Sequence, residues 1–213
     1  IIVLVVGLLT YLGVAIVKFS HNDVEKKCQS VVVSIKDSTT IRFVSEKNIR
    51  NKIAEENMQL VGKKLRTINT QKIEKILEEN PFIRNAECYK TPSGDLNIDI
   101  WQREPIFRVV GYHNYYVDID GNIFPPSPKY VAYVPVVTGM VNKQFAVSEL
   151  KNFVLYLRNN EFWNAQIEQI DVSATNELVL IPRVGDHEIE IGTLDNYQLK
   201  LAKLKKFYLD GLN

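Results

Sequence analysis

The residues of this chain that could carry out chemistry are few and widely spaced. His21, His113 and His187 form neither an HxxxH nor an HExxH pair, the spacing that places ligands on one helix face around a metal. Cys28 and Cys88 are far apart and make no CxxC motif or zinc-ligand spacing. We expect two unpaired, partly buried thiols, while a single disulfide in an oxidising compartment stays open. None of these side chains indicates a metal centre or a nucleophile–base pair.

The segment Asp118–Asn122 is the nearest approach to a metal site, because its side-chain oxygens alternate as in a calcium loop. Its glycine stands fourth rather than sixth, and Lys129 occupies the twelfth position, where a bidentate glutamate is needed. An Asp-Gly pair between the apolar runs Tyr115–Val117 and Ile123–Phe124 is typical of a turn instead. Because both residues of that pair tolerate a positive φ, the sequence predicts a tight hairpin here.

The sequence also lacks the signatures of common enzymes. It contains no GxSxG elbow, no Walker-type phosphate loop and no dinucleotide-binding glycine pattern. Glu161, Glu168 and Asp171 could be paired as acid and base, but nothing in their spacing defines a cleft. A net charge of +1 gives no basic stripe for nucleic acid. The sequence therefore predicts no catalytic residue, cofactor, metal, nucleic acid or small-molecule substrate.

The N-terminal residues 1–17 contain no charged side chain, and Lys18 is the first charge in the chain. A helix of this length spans roughly 25 Å, against roughly 30 Å for the hydrocarbon core of a bilayer. The run predicts one transmembrane helix, and a cleaved signal peptide or a buried core helix stay open as alternatives. The charges of residues 18–27 do not decide its orientation. Because the sequence begins with Ile1, we expect the span to be truncated at its N-terminus.

Residues 28–103 are predicted to form a first α+β domain in which two helices cover one face of a three-stranded sheet. Ser45 is expected to cap the first helix, and alternation of Leu96, Ile98 and Ile100 with polar residues indicates a half-buried strand. The predicted elements are an extended segment over Val31–Ile35 and Ile41–Phe43, helices over 46–57 and from Thr70 to Pro81, and a hairpin of Ala86–Lys90 and Leu96–Gln102.

Residues 104–213 are predicted to form a second domain, a mostly antiparallel sheet with two helices. In the last helix Tyr197, Leu201, Leu204 and Tyr208 share one stripe, and Phe162-Trp163 is expected to anchor the core. The predicted strands are Ile106–Val110, Tyr115–Ile119, Asn122–Phe124, Val134–Val137, Ile167–Val172, Glu177–Pro182 and His187–Ile191, and the helices are Ser148–Asn160 and Asp195–Leu212.

The order of these parts resembles the bacterial cell-division family FtsQ/DivIB, and the first domain resembles a POTRA (polypeptide-transport-associated) domain. Each motif that carries the resemblance is weak alone, but five of them follow in order behind a predicted anchor. They are Asn80–Ala86, Pro92–Leu96, Gln102–Ile106, Tyr115–Gly121 and Val134–Gly139.

The resemblance implies a non-enzymatic, single-pass protein of the cytoplasmic (inner) membrane, with both domains extracytoplasmic at the division site. It implies recruitment of other division proteins, including FtsB/FtsL-type coiled-coil partners, during septum formation. Docking would use strand edges and the surfaces beside them. The expected partner-binding residues are Glu188, Ile189, Glu190 and Ile191 of the last strand, Lys200, Lys203 and Lys206 of the last helix, and Ala86, Cys88 and Lys90 of the first domain.

One departure from the family pattern concerns the C-terminus. The family continues past the last helix into a further strand, so we expect the sequence to be truncated or that strand to be absent, leaving Glu188–Ile191 as an open edge. A POTRA-containing chaperone of outer-membrane assembly or secretion is the alternative function, although one POTRA module and no run of barrel strands disfavour it. An anchored envelope enzyme is a third, and it would need a cleft with paired carboxylates or a nucleophile with its base.

Overall fold

The computed structural model describes residues 5–14 and 26–211, which fall into two compact units that meet in sequence between Gln102 and Arg103. Residues 5–14 are helical. The transmembrane helix predicted over residues 1–17 therefore lies partly outside the described residues. Among the helices that are described, none combines the length and the apolar character needed to cross a membrane.

The first unit places two helices and a 3₁₀ turn beside a three-stranded sheet in the order β1-β3-β2. Strands β1 and β3 are parallel, and β2 and β3 form the antiparallel hairpin that the sequence predicted. Its elements are β1 (Val31–Ile35), α1 (Glu46–Glu55), the 3₁₀ turn Leu65–Thr67, α2 (Thr70–Glu78), β2 (Ile83–Lys90) and β3 (Leu96–Gln102).

Local side-chain hydrogen bonds fix where these helices begin. Ser45 and Asn48 form a reciprocal capping box at the start of α1, which confirms the predicted cap. The Asn69 side chain accepts a hydrogen bond from the Lys72 backbone N–H at 3.0 Å and caps α2. Helix α2 ends three residues before Pro81, whose ring cannot continue the helical hydrogen bonds.

A buried polar residue, Gln102, closes the end of β3 against the segment between β1 and α1. Its Nε2 donates to Asp37 Oδ1 at 2.9 Å and to the Ile41 carbonyl at 2.8 Å, and its Oε1 accepts from the Val44 N–H at 2.7 Å. These bonds hold Ile41–Phe43 in the core without a strand, so the predicted extension of β1 is wrong. A turn at Asp37 bends the chain first, because the Ile41 N–H donates to the Asp37 carbonyl.

The second unit is a seven-stranded sheet in the order β10-β9-β8-β7-β4-β5-β6, with parallel pairs only at β8-β7-β4 among the described strands. The sheet is mostly antiparallel, as predicted. Its strands are β4 (Pro105–Val109), β5 (Tyr115–Asp118), β6 (Ile123–Phe124), β7 (Val136–Gly139), β8 (Ile167–Val172), β9 (Leu178–Pro182) and β10 (Ile189–Gly192), and its helical segments are α3 (Lys143–Phe145), the π-helical stretch Ala146–Leu150, α4 (Lys151–Arg158), α5 (Glu161–Gln166) and α6 (Tyr197–Gly211).

Helices α4, α5 and α6 bury one face of this sheet. Trp163 is 1% exposed with Phe162 packed beside it, and Leu201 is fully buried, so the predicted core anchor and helix stripe are confirmed. The helical region begins at Lys143, five residues before the predicted start at Ser148. The π-helical stretch accounts for the difference, because its extra residue breaks the 3.6-residue period on which the prediction rested.

One turn and one strand boundary differ from their predictions. In the turn Asp118–Asn122, Gly121 has a positive φ (+88°), whereas Asp120 does not. The Asp118 carboxylate stabilises this turn by accepting from the Asn122 N–H at 2.7 Å, so a local hydrogen bond replaces the predicted second positive φ. Strand β7 begins at Val136, two residues later than predicted, since Pro135 has no N–H for the ladder.

Candidate functional site

The described residues do not assemble the side chains that could carry out chemistry. They contain no group of three or more His, Cys, Asp or Glu side chains that could hold a metal ion. Asp171 accepts a hydrogen bond from the Thr138 hydroxyl at 2.6 Å. Cys28 and Cys88 are free and buried, which confirms the prediction of unpaired thiols. Burial raises the pKa of Cys88 to about 12, with a smaller contribution from the Glu74 carboxylate.

Strand β10 is the outermost described strand at one edge of the seven-stranded sheet, where the sequence predicted an open edge. The strand begins at Ile189, two residues later than predicted, so Glu188 directly precedes it. Side chains alternate along this segment: Ile189 and Ile191 are buried in the core, and Glu188 and Glu190 are exposed. Ile189 and Ile191 can therefore offer a partner only their backbone groups. The side chains at this edge that can meet a partner are the two glutamates.

Helix α6 lies beside this edge and is tied to it by Lys200. The Lys200 ammonium donates to the backbone carbonyls of Ile191 at 3.0 Å and Thr193 at 2.8 Å. The sequence predicted Lys200 to face a partner, but its ammonium already has two partners within the unit. Near the other end of the helix, the Tyr208 hydroxyl hydrogen-bonds His187, just before β10. These bonds hold α6 along the end strand.

The flank of α6 nearest β10 exposes an aromatic residue that the sequence reasoning missed. Phe207 is 58% exposed and follows Lys200 by two helical turns, so it lies on the same flank. Lys203 lies about 60° from Lys200 around the helix and Lys206 about 120°, and both are exposed. The signal was present in the sequence, since Phe207 falls outside the apolar stripe. We call the outer edge of β10 with Glu188 and Glu190, and this flank with Lys200, Lys203 and Phe207, the β10–α6 surface.

Strand β2, the second predicted docking edge, is covered by side chains of its own unit. The outward N–H groups of Cys88 and Ala86 donate to the carboxylates of Glu74 (2.8 Å) and Glu78 (3.2 Å) on α2. The Ala86 and Cys88 side chains are buried. Only Lys90, among the three predicted contact residues of this strand, has an exposed side chain. Addition of a strand here would have to displace both glutamates.

The described sites therefore offer backbone hydrogen-bonding groups and exposed side chains rather than reactive groups. A strand edge flanked by an exposed aromatic and lysines is suited to strand addition, in which backbone bonds give affinity and side chains give selectivity. The fold defines a class of two-domain α+β protein in which a small three-stranded domain is followed by a larger sheet domain.

Comparison with known families agrees with that class. A sequence profile of the FtsQ/DivIB, C-terminal-related family matches residues 104–213, and a POTRA-like domain profile matches residues 26–101. The chain belongs to the FtsQ/DivIB family, as its motifs had indicated.

One curated relative is the cell division protein FtsQ of Geotalea daltonii (strain DSM 22248 / JCM 15807 / FRC-32). It is 22% identical over 161 residues, which cover 70% of this chain and 56% of the relative. The match therefore spans a little over half the length of that protein.

Proposed function

We propose that this chain is a non-enzymatic, membrane-anchored scaffold of the bacterial division machinery that docks partner proteins on the β10–α6 surface. The observation that carries the proposal is the exposed Phe207 beside the outermost described strand, in a chain of the FtsQ/DivIB family. Residues 1–17 would provide the anchor, residues 28–103 a POTRA domain, and residues 104–213 the docking domain. Both domains would lie on the extracytoplasmic side of the inner membrane.

The chemistry of the surface supports a peptide strand as the ligand. An added strand would pair with the backbone of Ile189–Gly192, and its alternate side chains would contact Glu188 and Glu190 on one face of the sheet and α6 on the other. Phe207 provides a large apolar contact that costs little conformational entropy to fix. Lys203 would select acidic side chains on the partner. Aromatic anchors of this kind carry much of the binding free energy in protein interfaces.

The Lys200 contacts raise the free-energy cost of docking a strand on this edge. The Ile191 carbonyl already accepts a hydrogen bond from the Lys200 ammonium, so an incoming N–H must share or replace that donor. Charged side chains over an exposed edge are a common protection against unwanted strand pairing. The partner must therefore supply contacts beyond backbone bonds, which favours a specific protein over any extended peptide.

The partners that the family suggests are FtsB/FtsL-type coiled-coil proteins, which would dock on this surface. Because residues 1–17 would confine this chain to the bilayer, a partner anchored in the same membrane would meet it at a raised effective concentration. Affinity for an isolated partner peptide in solution would then be modest, and binding in the membrane would be stronger.

Localisation tests the division role directly. A fluorescent fusion of the chain, expressed at native level in its own host, is expected to form a band at mid-cell in dividing cells. The matched control is the same fusion carrying Phe207→Asp, which is expected to reach the membrane and lose the band. A uniform signal around the cell rim from the unmodified fusion would contradict the proposal.

A further inference from the structure

The second unit contains a cleft of about 520 Å³ that shares no lining residue with the β10–α6 surface. It lies where α4 ends, between the segment that enters β4, the segment that enters β7 and the residue that follows β9. Its volume is in the range of sites that bind small ligands or short peptide segments. The sequence reasoning gave no indication of it, because its lining residues come from six separate stretches of the chain.

The first guanidinium of the cleft is Arg158, the last residue of α4. Its Nη2 donates to the Glu104 carboxylate at 3.1 Å and its Nη1 to the Pro105 carbonyl at 3.3 Å. Two contacts therefore hold this planar group in place, and they use two of its five N–H groups. The side chain is 30% exposed and lines the cleft.

The second guanidinium is Arg183, which directly follows β9. Its backbone N–H donates to the Gln166 carbonyl at 2.7 Å and fixes the start of the side chain. The guanidinium carbon lies 5.1 Å from the centre of the Tyr133 ring, and Nη1 donates to the Tyr133 hydroxyl. Tyr133 is 83% exposed and neutral, so it positions Arg183 without balancing its charge.

The charges and polar groups of the cleft define the ligand chemistry. The charged residues of the lining are Arg158, Arg183 and the carboxylate Glu104, so one positive charge is unbalanced among the lining residues. One carboxylate neutralises that excess, whereas a phosphate dianion would exceed it. The side-chain amides of Asn159 and Asn164 each offer a donor and an acceptor, the pair that a peptide group requires. The rest of the lining is largely aliphatic: Ile119, Val134, Pro135, Leu155 and Ala165.

We propose that this arginine cleft, formed by Arg158, Arg183, Tyr133, Asn159 and Asn164, is a second protein-binding site that takes an extended peptide segment carrying one carboxylate. The carboxylate binds the free N–H groups of Arg158 and Arg183, because arginine presents a planar donor pair that matches carboxylate geometry. Apolar side chains next to it contact Leu155 and Pro135. The carboxylate belongs to an aspartate or glutamate side chain or to a protein C-terminus. This inference does not depend on the division role.

Three acetylated peptides that differ in one group test the site. The first is Ac-Gly-Leu-Asp-Leu-Gly-amide, the second has Asn in place of Asp, and the third is Ac-Gly-Leu-Leu with a free C-terminus. Each is titrated to 10 mM into the full chain, kept in solution with a non-ionic detergent, while NMR records the arginine Nε–H and asparagine side-chain amide signals. Saturable shifts at Arg158 and Arg183 are expected with at least one acidic peptide, and its affinity should be about 10-fold or more above that of the neutral peptide.

Variants separate this site from non-specific attraction. Arg183→Gln is expected to lower the affinity about 10-fold, whereas Arg66→Gln, an exposed arginine of the first unit, should leave it within a factor of two. The comparison of the first and third peptides identifies a side-chain or a terminal carboxylate as the ligand. Equal binding of the neutral peptide, equal effects of both variants, or no saturable shift with any peptide would overturn the proposal. If the unmodified fusion forms no mid-cell band but the acidic peptide still binds here as expected, the division role alone is contradicted and this site stands.

Discussion

The Glu74 carboxylate accepts a hydrogen bond from the backbone N–H of Cys88 at 2.8 Å, and so closes the exposed edge of the three-stranded sheet with a side chain of α2. Glu78, one helical turn further on, does the same for Ala86 at 3.2 Å. A charged acceptor gives a stronger hydrogen bond than a neutral one. The edge is thus satisfied within its own unit, although no strand of the described chain pairs with it.

Removal of this acceptor should expose the Cys88 amide. Glu74→Ala is expected to speed hydrogen exchange of the Cys88 N–H by about 10-fold or more, because the loss of a charge-assisted bond costs about 1.5–3 kcal/mol. Glu74→Gln keeps an acceptor oxygen and should retain most of the protection. Hydrogen exchange followed by NMR measures both, with Glu55→Ala on α1 as the control. Equal exchange in all three variants would show that the carboxylate does not protect the edge.

The same edge should make the first unit sensitive to alkaline pH. Burial raises the pKa of Cys88 to about 12, well above the value of about 8.5 for an unfolded cysteine. The unfolded state therefore releases this proton first, and stability that is present below pH 8.5 falls as the pH rises, by up to about 1.4 kcal/mol per pH unit.

Cys88→Ala should remove that part of the pH dependence. The measurement is the urea midpoint at pH 7.5 and pH 9.5, followed by the fluorescence of Trp101, which lies in the same unit. We expect the midpoint of the unmodified chain to fall more between the two pH values than that of the variant. An equal fall of the midpoint in both proteins would mean that ionisation of Cys88 does not cause the loss of stability at alkaline pH.

Gly139 is predicted to be the least replaceable glycine of the second unit. Its φ is +87°, and an added Cβ would lie 2.1 Å from the Val172 carbonyl oxygen. Both the backbone strain and the clash with β8 oppose any side chain, so Gly139→Ala should destabilise the unit by about 3 kcal/mol or more. Gly111→Ala is the matched control, because its Cβ would lie 4.0 Å from the Gly139 oxygen, an ordinary van der Waals distance. Urea unfolding monitored by Trp163 should separate the two, and similar midpoints would contradict this prediction.

Much of this fold could be predicted because its signals are local. The alternation of Leu96, Ile98 and Ile100 predicted a strand, and all three side chains are fully buried. Ser45 predicted a helix start through a hydrogen bond to a residue three positions away. Each of these signals depends on neighbours in the sequence, so no knowledge of the tertiary packing was needed.

The features of the candidate sites depend on residues that are distant in the sequence. Glu74 and Glu78 have the spacing of an ordinary solvated helix face, and their role appears only once α2 packs beside β2. Arg158 and Arg183 meet because α4 ends where the chain leaves β9. Lys200 had the pattern of an outward lysine, yet the flexible stem lets its ammonium reach the Ile191 carbonyl. Patterns in a single sequence carry no information on such contacts between distant residues.

The most direct test of docking on the β10–α6 surface is the affinity of the full chain for the FtsB/FtsL-type pair from its own host, measured in nanodiscs. Ile189 and Ile191 are unsuitable targets, because their buried side chains would make a proline replacement damage the core as well as the edge. The Phe207 side chain is exposed, so Phe207→Asp leaves the core intact. The matched control is Lys206→Glu, at a position about 120° around α6 from Lys200. We expect a dissociation constant at least about 10-fold larger for Phe207→Asp and a change within about 3-fold for Lys206→Glu. Unchanged binding by Phe207→Asp would contradict it.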